Sequence, residues 1–379
     1  MFEYDTLRVI WWAILGVLLI GFAILDGFDI GAQILLPYAG KTDKERRMVI
    51  NTVGPIWEGN QVWFILGGGA IFAAWPILYA VAFSGFYFAM LIVLLAFIMR
   101  PVAFKFRSKL PATWWRNSWD WVLSISGTIT AVVLGVAMGN VLQGVPFHLD
   151  PSMRSFYLGS FWGLLNPFAL LCGLVSLSMM MMQGGLYLSA KTIESIQNRC
   201  IRIARISGLF SILFFAIGGL WLLSGPFGYT ITSTRLLNDV SNPLHKTVIK
   251  EAGAWFHNYY LYPWTLAAPI TGFVGALGAI MLARVANSKL AFVLSSLSIA
   301  GIIATVGVST FPFLLPSSSD PNSSLLVWDA SSSQYTLGLM LFCVCTLLPV
   351  VLIYTSWVYY ILKGRISEVF FAHHEEDMY

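Results

Sequence analysis

The amino-acid sequence predicts an all-α polytopic membrane protein with about nine transmembrane helices, arranged as two four-helix bundles plus one further helix. The composition is 58% hydrophobic and 11% charged, and the mean hydropathy is +0.75. Both values are typical of chains that cross a bilayer several times. We assign residues 1–188 to the first bundle, running into the fifth helix, and residues 189–379 to the second bundle and the last helix. A bilayer core takes roughly 20 apolar residues per helix, and the segments that fit this length are Val9–Leu36, Trp57–Ala74, Ile77–Ile98, Trp119–Leu142, Trp162–Leu188, Ile203–Leu223, Tyr262–Leu282, Leu290–Phe311 and Tyr335–Leu362.

The Lys and Arg residues alternate between the two sides of these spans. Of the 22 Lys and Arg residues, 17 fall in the loops of one side. Basic residues collect in cytoplasmic loops, so the pattern places the N-terminus outside, the loop Ser224–Leu261 outside and the tail Lys363–Tyr379 in the cytoplasm. The first apolar run is too long for a cleaved signal peptide and is expected to remain as a helix. The basic residues on the other side are Arg8, Arg154, Arg235, Lys246 and Lys250.

Two carboxylates interrupt the first span, in the run Asp26-Gly27-Phe28-Asp29-Ile30-Gly31. An acid at bilayer depth costs about 2.5–3.5 kcal/mol on insertion scales, so the pair must be protonated, paired or hydrated inside the protein. A spacing of three residues places Asp26 and Asp29 on one helical face. Gly27 and Gly31 are small residues four positions apart, which lets another helix approach closely. This face is therefore expected to contact protein and not lipid.

The second span begins with an unusually polar segment, Trp57-Glu58-Gly59-Asn60-Gln61-Val62-Trp63. One interpretation is an interfacial anchor, in which the two tryptophans lie at the lipid headgroups beside Glu58. The other is a functional site, because an acid and two amides within about one helical turn can hold water. We favour the functional interpretation.

Arg100 ends the third span and Asp120 lies near the start of the fourth, both on the side rich in Lys and Arg. The long side chain of Arg100 can reach the headgroups, or it can pair with an acid at the same depth, for which Glu58 and Asp120 are the candidates. The four tryptophans around Asp120 are typical of an interfacial belt. Two glycine patterns, Gly67-Gly68-Gly69 and Gly135-x-x-x-Gly139, predict close helix packing.

The residue types that bind haem and metals are poorly placed to do so in this chain. A haem inside a helix bundle takes His or Met from facing helices, so we expect the chain to ligate no haem by itself. The run Met179–Met182 is interpreted as gap-filling core or as a lipid-facing surface, and the pair Cys343-x-Cys345 as two small core residues. No metal site is predicted, and the small net charge of +4, spread among short loops, does not indicate a nucleic-acid surface. All five histidines fall outside the spans: His148, His245, His257, His373 and His374.

Taken together, these motifs resemble subunit II of the cytochrome bd quinol oxidases, the respiratory enzymes that pass electrons from quinol to oxygen. The matching segments keep their order nearly from end to end, so the resemblance covers the whole chain. They are Ile10-Trp11-Trp12, Asp26-Gly27-Phe28-Asp29, Trp57-Glu58-Gly59-Asn60-Gln61-Val62-Trp63, Phe72-Ala73-Ala74-Trp75-Pro76, Phe83-Ser84-Gly85-Phe86-Tyr87, Arg100-Pro101, Trp114 to Asp120, Gly139-Asn140, Gln143-Gly144-Val145-Pro146-Phe147, Phe311-Pro312-Phe313, Pro316-Ser317-Ser318 and Trp328-Asp329-Ala330.

The resemblance implies a subunit of a terminal oxidase that oxidises quinol, reduces oxygen to water and generates a proton gradient across the bacterial inner membrane. It implies a larger partner, subunit I, that carries haem b, haem d and the quinol site, together with one or more small single-helix subunits. Some members also bind a quinone as a structural element. The resemblance further implies that Asp29, Glu58, Arg100 and Asp120 line a proton path from the cytoplasm, and that an oxygen route opens near Trp63. Glu58 stands where some members carry Asp, and the longer side chain keeps the charge.

Two other functions are consistent with buried acids. A proton-coupled secondary transporter or channel would use Asp26 and Asp29 to bind its coupling ion, but such proteins show helices broken near the bilayer midplane and internal repeats. Here the polar residues gather at one end of the first four spans. A scaffold that only stabilises its partner would keep the acids for packing with Arg100. For Asp26, a functional and a structural role are both open at this point.

Overall fold

The computed structural model describes residues 2–192, 194–225, 227–234, 236–285 and 287–365. Within these ranges the chain consists of α-helices, short loops and three small hairpins. The helices are α1 (Tyr4–Ala39), α2 (Asp43–Val53), α3 (Trp57–Ala74), α4 (Pro76–Gly85), α5 (Tyr87–Phe106), α6 (Thr113–Gln143), α7 (Pro167–Lys191), α8 (Glu194–Ser224), α9 (His257–Leu261), α10 (Ala267–Arg284), α11 (Ser288–Thr310) and α12 (Gln334–Ile361). The strands are β1 (Phe147–Leu149), β2 (Ser155–Tyr157), β3 (Tyr229–Ile231), β4 (Val248–Lys250), β5 (Phe313–Leu315) and β6 (Leu325–Leu326).

Eight helices in the described part of the chain are long and apolar enough to cross a membrane. A further helix, α3, has 18 residues and the predicted bounds, although its polar first turn makes it less apolar than the others. The all-α membrane fold is thus confirmed, and nine spans is approximately right. Several helices start a few residues from the predicted position: α8 begins at Glu194 and not at Ile203, and α7 begins at Pro167 and not at Trp162. Asn166 caps this helix by accepting a hydrogen bond from the amide of Ala169.

The third predicted span, Ile77–Ile98, is divided into two helices, α4 and α5. The break lies at Phe86, whose backbone (φ −93°, ψ 19°) leaves the α-helical region. Gly85, just before it, lies against the ring of Tyr157, and a Cβ atom on this glycine would be 2.9 Å from the ring. A side chain here would keep the β1–β2 hairpin from packing against the helix. Hydropathy alone predicts one continuous helix, because both halves are apolar.

Helices α1 and α7 are at the centre of the arrangement. α1 packs against α3, α6, α7 and α11, while α7 also packs against α6 and α8. The backbones of α1 and α7 touch where Gly31 meets Gly184, since a Cβ on Gly31 would lie 2.9 Å from the Cα of Gly184. Gly135 and Gly139 allow the same close approach between α6 and α7. The predicted packing role is thus confirmed for Gly31 and for the pair Gly135 and Gly139.

Helices α7, α8, α10 and α11 form a group of four that pack on one another. The run Met179–Met182 on α7 contributes to the apolar clusters on both sides of that helix, so its interpretation as core is confirmed. Because α7 contacts both groups of helices, the division of the chain into residues 1–188 and 189–379 stays a prediction.

Two groups of residues are more exposed than the sequence suggested. In the glycine run of α3, Gly67 is buried, but a Cβ on Gly68 or Gly69 would meet nothing within 4 Å. Cys343 and Cys345 are exposed on α12, so their interpretation as core residues is wrong for this chain by itself. The reason is that most of the α12 surface has no neighbouring helix within the described chain.

The two ends of the helix arrangement differ in charge. The end at which α1 stops and α3 begins carries most of the Lys and Arg residues, and we call it the basic end. It also carries α2, which begins with a capping box: the side chain of Thr42 accepts from the amide of Glu45, and the Glu45 carboxylate accepts from the amide of Thr42. The opposite end, which we call the strand end, carries the three antiparallel hairpins β1–β2, β3–β4 and β5–β6.

Candidate functional site

The half of α1 nearest the basic end is buried on all sides. Every residue from Asp26 to Pro37 is buried, because α3, α6 and α7 surround α1. Asp26 and Asp29 are both 0% exposed. The expectation that this face of the helix contacts protein is therefore confirmed.

Asp26 forms a buried ion pair with Arg100 of α5. Nη1 of Arg100 donates to Oδ1 of Asp26 at 2.6 Å, and the two side chains are 2% and 0% exposed. The guanidinium carbon also lies 5.3 Å from the centre of the Phe97 ring and 5.9 Å from that of Trp57, within the range of cation–π attraction. A pair this deep is costly to break, because removal of one partner leaves an uncompensated buried charge. The pair therefore fixes α5 against α1.

Asp29 is held by a chain of two hydrogen bonds from other helices. Nδ2 of Asn60 on α3 donates to Oδ2 of Asp29 at 2.7 Å. The hydroxyl of Tyr359 on α12 donates to Oδ1 of the same asparagine at 2.6 Å. The rings of Phe28 and Tyr187 stack beside this chain, with their centroids 4.1 Å apart. Three helices thus meet at one carboxyl group.

The two carboxyl groups have more hydrogen-bonding capacity than the described residues use. Oδ2 of Asp26 and Oδ1 of Asp29 have no hydrogen-bond partner in the described ranges, and neither do the donors Trp57 Nε1 and Gln33 Nε2. Gln33 lies about one turn from Asp29 on α1. Buried polar atoms in proteins are almost always satisfied by protein groups or by ordered water. A proton on one acid, or a short chain of water molecules, would satisfy these atoms.

Asp120 belongs to a separate cluster of charged side chains at the basic end. Arg107 donates to it twice, from Nε to Oδ1 at 2.5 Å and from Nη2 to Oδ2 at 3.0 Å, the two-point contact that guanidinium and carboxylate groups favour. Nη1 of Arg46 donates to Oδ2 at 2.9 Å. Asp43 accepts from Arg107 and Arg116 in the same cluster. These ion pairs join α2, the end of α5 and the start of α6.

The four residues predicted for the proton path lie in three environments. Asp29 and Arg100 belong to the buried group around Asp26, Asp120 belongs to the separate cluster, and Glu58 has an exposed side chain in the first turn of α3. The prediction that Arg100 pairs with Glu58 or Asp120 is therefore wrong. Its partner is Asp26. The reason is that the Arg100 side chain points into the bundle toward α1, while other arginines already bind Asp120.

Tyr359 was missed by sequence reasoning, and no local signal identifies it. It lies 299 residues from Asn60 in the chain, in a span with several other aromatic residues. Asn60 did stand out as an amide in a polar helix start, but its partners depend on the packing of three helices. A helical period shows which face is buried and not which distant residue that face meets.

A second buried ion pair lies at the strand end. Nζ of Lys246 is 2.7 Å from Oδ2 of Asp329. Burial lowers the pKa of the Lys246 ammonium, and the attraction of Asp329 opposes this shift. Burial also raises the pKa of the Asp329 carboxyl, and Lys246 opposes that shift in turn. Arg8 donates to the hydroxyl of Ser331 at 2.8 Å and to the carbonyl of Asp239 at 2.9 Å. These contacts hold two loops around the start of α1.

The described residues do not fit a haem or a metal ion. His148 lies in β1, His245 in a loop and His257 at the first residue of the short helix α9, so none faces another ligand across the long helices. No group of three His, Cys, Asp or Glu residues in the described ranges is arranged to hold a metal ion. His373 and His374 lie outside the described residues.

Comparison with known proteins gives consistent matches over the whole chain. The family described as cytochrome bd terminal oxidase subunit II matches residues 7–362. The cytochrome bd-I ubiquinol oxidase subunit 2 of Escherichia coli strain K12 is 48% identical over 368 residues, which is 97% of each chain. The cytochrome bd ubiquinol oxidase subunit 2 of Bacillus subtilis strain 168 is 31% identical over 378 residues, or 98% of this chain and 99% of the other.

A solved structure is also similar in fold. The bd oxidase from Geobacillus thermodenitrificans matches with a TM-score of 0.69 and 16% identity, over 94% of this chain and 99% of that chain. The family and the two relatives set aside the alternative of a proton-coupled transporter and confirm the resemblance that the motifs indicate. The chain belongs to the family of cytochrome bd terminal oxidase subunit II.

Proposed function

We propose that this chain supports a haem-bearing partner and leads protons from the basic end to the buried acids Asp26 and Asp29. As a subunit II, the chain is a member of a quinol:oxygen oxidoreductase complex in a membrane, together with a subunit I. The observation that carries the proposal is the pair of fully buried carboxylates with one guanidinium beside them. Acids inside a membrane are costly, and the common reason for their presence is function.

Charge compensation explains why such a group can transfer a proton. Arg100 compensates one of the two carboxylates, so uptake of a single proton makes the group electrically neutral. Asp29 is suited to accept this proton, because its Oδ2 is held by Asn60 while its Oδ1 is free. Oxygen reduction to water consumes protons, and quinol oxidation releases them. If the consumed protons come from the cytoplasm and quinol releases its own outside, turnover moves charge across the membrane without a pump.

Glu58 and Asp120 form the part of the proposed path nearest the basic end. Glu58 is exposed and lies two residues from Asn60, which contacts Asp29. Asp120 brings a carboxyl group to the same end and holds α6 against the end of α5 through Arg107. The four residues therefore extend from the exposed start of α3 to the buried half of α1.

Subunit I is proposed to carry haem b, haem d and the quinol site, which supply the electron transfer of the complex. The long helices in the described part of this chain contain no histidine, which supports ligation by the partner. One or more single-helix subunits, a structural quinone and an oxygen route near Trp63 belong to the same proposal.

The basic end is proposed to face the cytoplasm of a bacterial cell, across its inner membrane. The support is the excess of Lys and Arg at this end. The N-terminus would then lie outside and the C-terminal residues, of which 366–379 lie outside the described ranges, in the cytoplasm. The proposed electron donor is ubiquinol, which the names of the Escherichia coli and Bacillus subtilis relatives include.

Purification of the complex through a tag on this chain tests the assignment of partners and cofactors. We expect a haem-bearing subunit to co-purify, with the absorption bands of haem b and haem d and with quinol-dependent oxygen uptake. The chain produced without subunit I should bind no haem. Stoichiometric haem in that product would contradict ligation by the partner.

Substitution of the acids tests the proton path. We expect Asp29→Asn and Glu58→Gln to slow oxygen reduction more than they reduce assembly, while Asp150→Asn at the strand end, whose partner Arg154 is 72% exposed, leaves turnover unchanged. The measurement is oxygen uptake per intact complex, with haem content checked by absorption. Normal turnover in both variants would remove the proposed path, and loss of haem would favour a structural role.

A further inference from the structure

Tyr359 is the residue through which α12 reaches the buried acids. Its hydroxyl donates to Asn60 at 2.6 Å, and Asn60 in turn donates to Asp29 at 2.7 Å. Its ring lies edge-on to that of Phe28, with the centroids 6.5 Å apart and an interplanar angle of 73°. The remainder of α12 is largely exposed, and Leu337, near the start of this helix, is its one buried residue. Through Tyr359, α12 makes a specific polar contact with α3, although most of the α12 surface is exposed.

The two hydrogen bonds fix the orientation of the Asn60 amide. A carboxylate only accepts hydrogen bonds, whereas a phenol hydroxyl can donate to an amide oxygen. The amide nitrogen therefore faces Asp29 and the amide oxygen faces Tyr359. Turning the amide by half a rotation would place its oxygen against the carboxylate of Asp29. The carboxylate of Asp29 sets this orientation, and the hydroxyl of Tyr359, by donating to the amide oxygen, strengthens the donor that Asn60 presents to the acid.

This connection positions a proton and does not carry one, because a neutral amide has no titratable proton. Its effect is to occupy Oδ2 of Asp29 and leave Oδ1 as the free oxygen. We propose that Tyr359 is a positioning residue for proton transfer at Asp29 and acts through Asn60. The inference rests on the proposed function of Asp29 in the proton path.

The charged and titratable groups that face Asp29 come from four helices. Asp26 lies one turn away on α1 and pairs with Arg100 of α5. The ring of Tyr187 on α7 stacks on Phe28, next to Asp29 in the chain, and the hydroxyl of Tyr359 on α12 reaches Asp29 through Asn60. The hydroxyl of Tyr187 donates to a backbone carbonyl of α2 at 2.7 Å. Of the two tyrosines, Tyr359 is therefore the one whose hydrogen bond bears on the carboxyl group.

Removal of the Tyr359 hydroxyl is expected to make Asp29 hold its proton more tightly. It frees the amide of Asn60 and weakens a hydrogen bond that favours the charged form of Asp29. The acid then releases its proton less readily, so oxygen reduction slows, most of all at low pH. One hydrogen bond of ordinary strength changes an equilibrium by about three- to tenfold. The acid limb of the pH profile should accordingly move to higher pH by about half a unit to one unit.

The test compares Tyr359→Phe with Tyr354→Phe in the intact haem-containing complex. Tyr354 lies on the same helix, is 62% exposed and contacts the ring of Trp357, so loss of its hydroxyl leaves the acids untouched. Oxygen uptake per complex is measured across pH at saturating quinol, with the KM for quinol determined in parallel. Infrared difference spectra of oxidised and reduced complex record the carbonyl band of a protonated carboxyl group, which Asp29→Asn assigns.

We expect Tyr359→Phe to lower turnover about three- to tenfold at the acid end of the profile, to leave the KM for quinol unchanged and to shift the carboxyl band. Tyr354→Phe should match the unchanged protein. Asn60→Leu breaks the same connection and leaves Tyr359 in place, so it should shift the pH profile in the same direction. This variant keeps the test possible if the complex with Tyr359→Phe assembles poorly. An unshifted pH profile and carboxyl band overturn the inference, as does loss of the haem complex in both variants. Normal turnover of Asp29→Asn would instead contradict the proposed function itself.

Discussion

Replacing Arg100 by methionine should destabilise the protein by about 3–5 kcal/mol, the range found when one partner of a buried ion pair is removed. Arg100 and Asp26 are 2% and 0% exposed and their charged atoms lie 2.6 Å apart. The substitution leaves the Asp26 carboxylate in a protein interior without its cation. Methionine keeps part of the packing against Phe97, so the loss reports mainly on charge.

A double-mutant cycle separates the pair from its surroundings. Stability is measured by thermal unfolding of the purified complex for Arg100→Met, for Asp26→Leu and for both together. The double variant should recover most of the loss, because a buried ion pair exchanged for apolar residues is often tolerated. Arg116→Gln is the control, since its pair with Asp43 is 29% and 42% exposed and should contribute about 0.2–1 kcal/mol. Equal losses in Arg100→Met and Arg116→Gln, or simple additivity in the cycle, would refute the reasoning.

Three further predictions follow from packing, charge and topology. Gly31→Ala should cost about 1–3 kcal/mol through overpacking, because its Cβ meets the backbone of α7, while Gly16→Ala on the same helix, where a Cβ meets nothing within 4 Å, should be near neutral; equal unfolding midpoints would contradict this. Burial raises the pKa of Glu45, but its hydrogen bonds and the attraction of Arg199 outweigh this and hold the pKa below its usual 4.5. A carboxyl with a depressed folded-state pKa adds stability above its unfolded value that is lost as the pH falls. Glu45→Gln should therefore destabilise the protein at neutral pH, and this loss should shrink as the pH falls through the folded-state pKa; a loss that stays the same over this range would exclude the ion pair as its cause. A reporter that works only in the cytoplasm should be active when fused after Tyr379, and silence from a well-expressed fusion would contradict the proposed orientation.

The sequence predicted the parts of the structure that depend on local pattern. The bounds of α3 coincide with the second predicted span, and the burial of Asp26 and Asp29 follows from their spacing and from neighbouring Gly27 and Gly31. Apolar length and small-residue spacing decide both features, since each is set within a few helical turns.

The features that the sequence did not predict depend on how distant helices meet. Packing of the buried acids with Arg100 was one of the open alternatives, but the choice of Asp26, 74 residues away in the chain, depends on tertiary structure. The break at Phe86 likewise changes the path of α5 relative to a single continuous helix. Tyr359 reaches Asn60 from the last helix, and the position of that helix is set by tertiary packing. Hydropathy does not distinguish an apolar helix face that packs in the core from one that is exposed. For this reason Cys343 and Cys345 on α12 were predicted to be core residues although they are exposed.

Proton uptake during oxygen reduction is the measurement that bears most directly on the proton path through Asp29. The complex is reconstituted in vesicles with a membrane-impermeant pH dye on the side of the basic end, and one turnover is started with oxygen. We expect the unchanged protein to take up protons from this side in step with oxygen reduction, and Asp29→Asn to delay both while its haem content stays normal. Uptake from the opposite side, or uptake at the normal rate in Asp29→Asn, would contradict the proposed path.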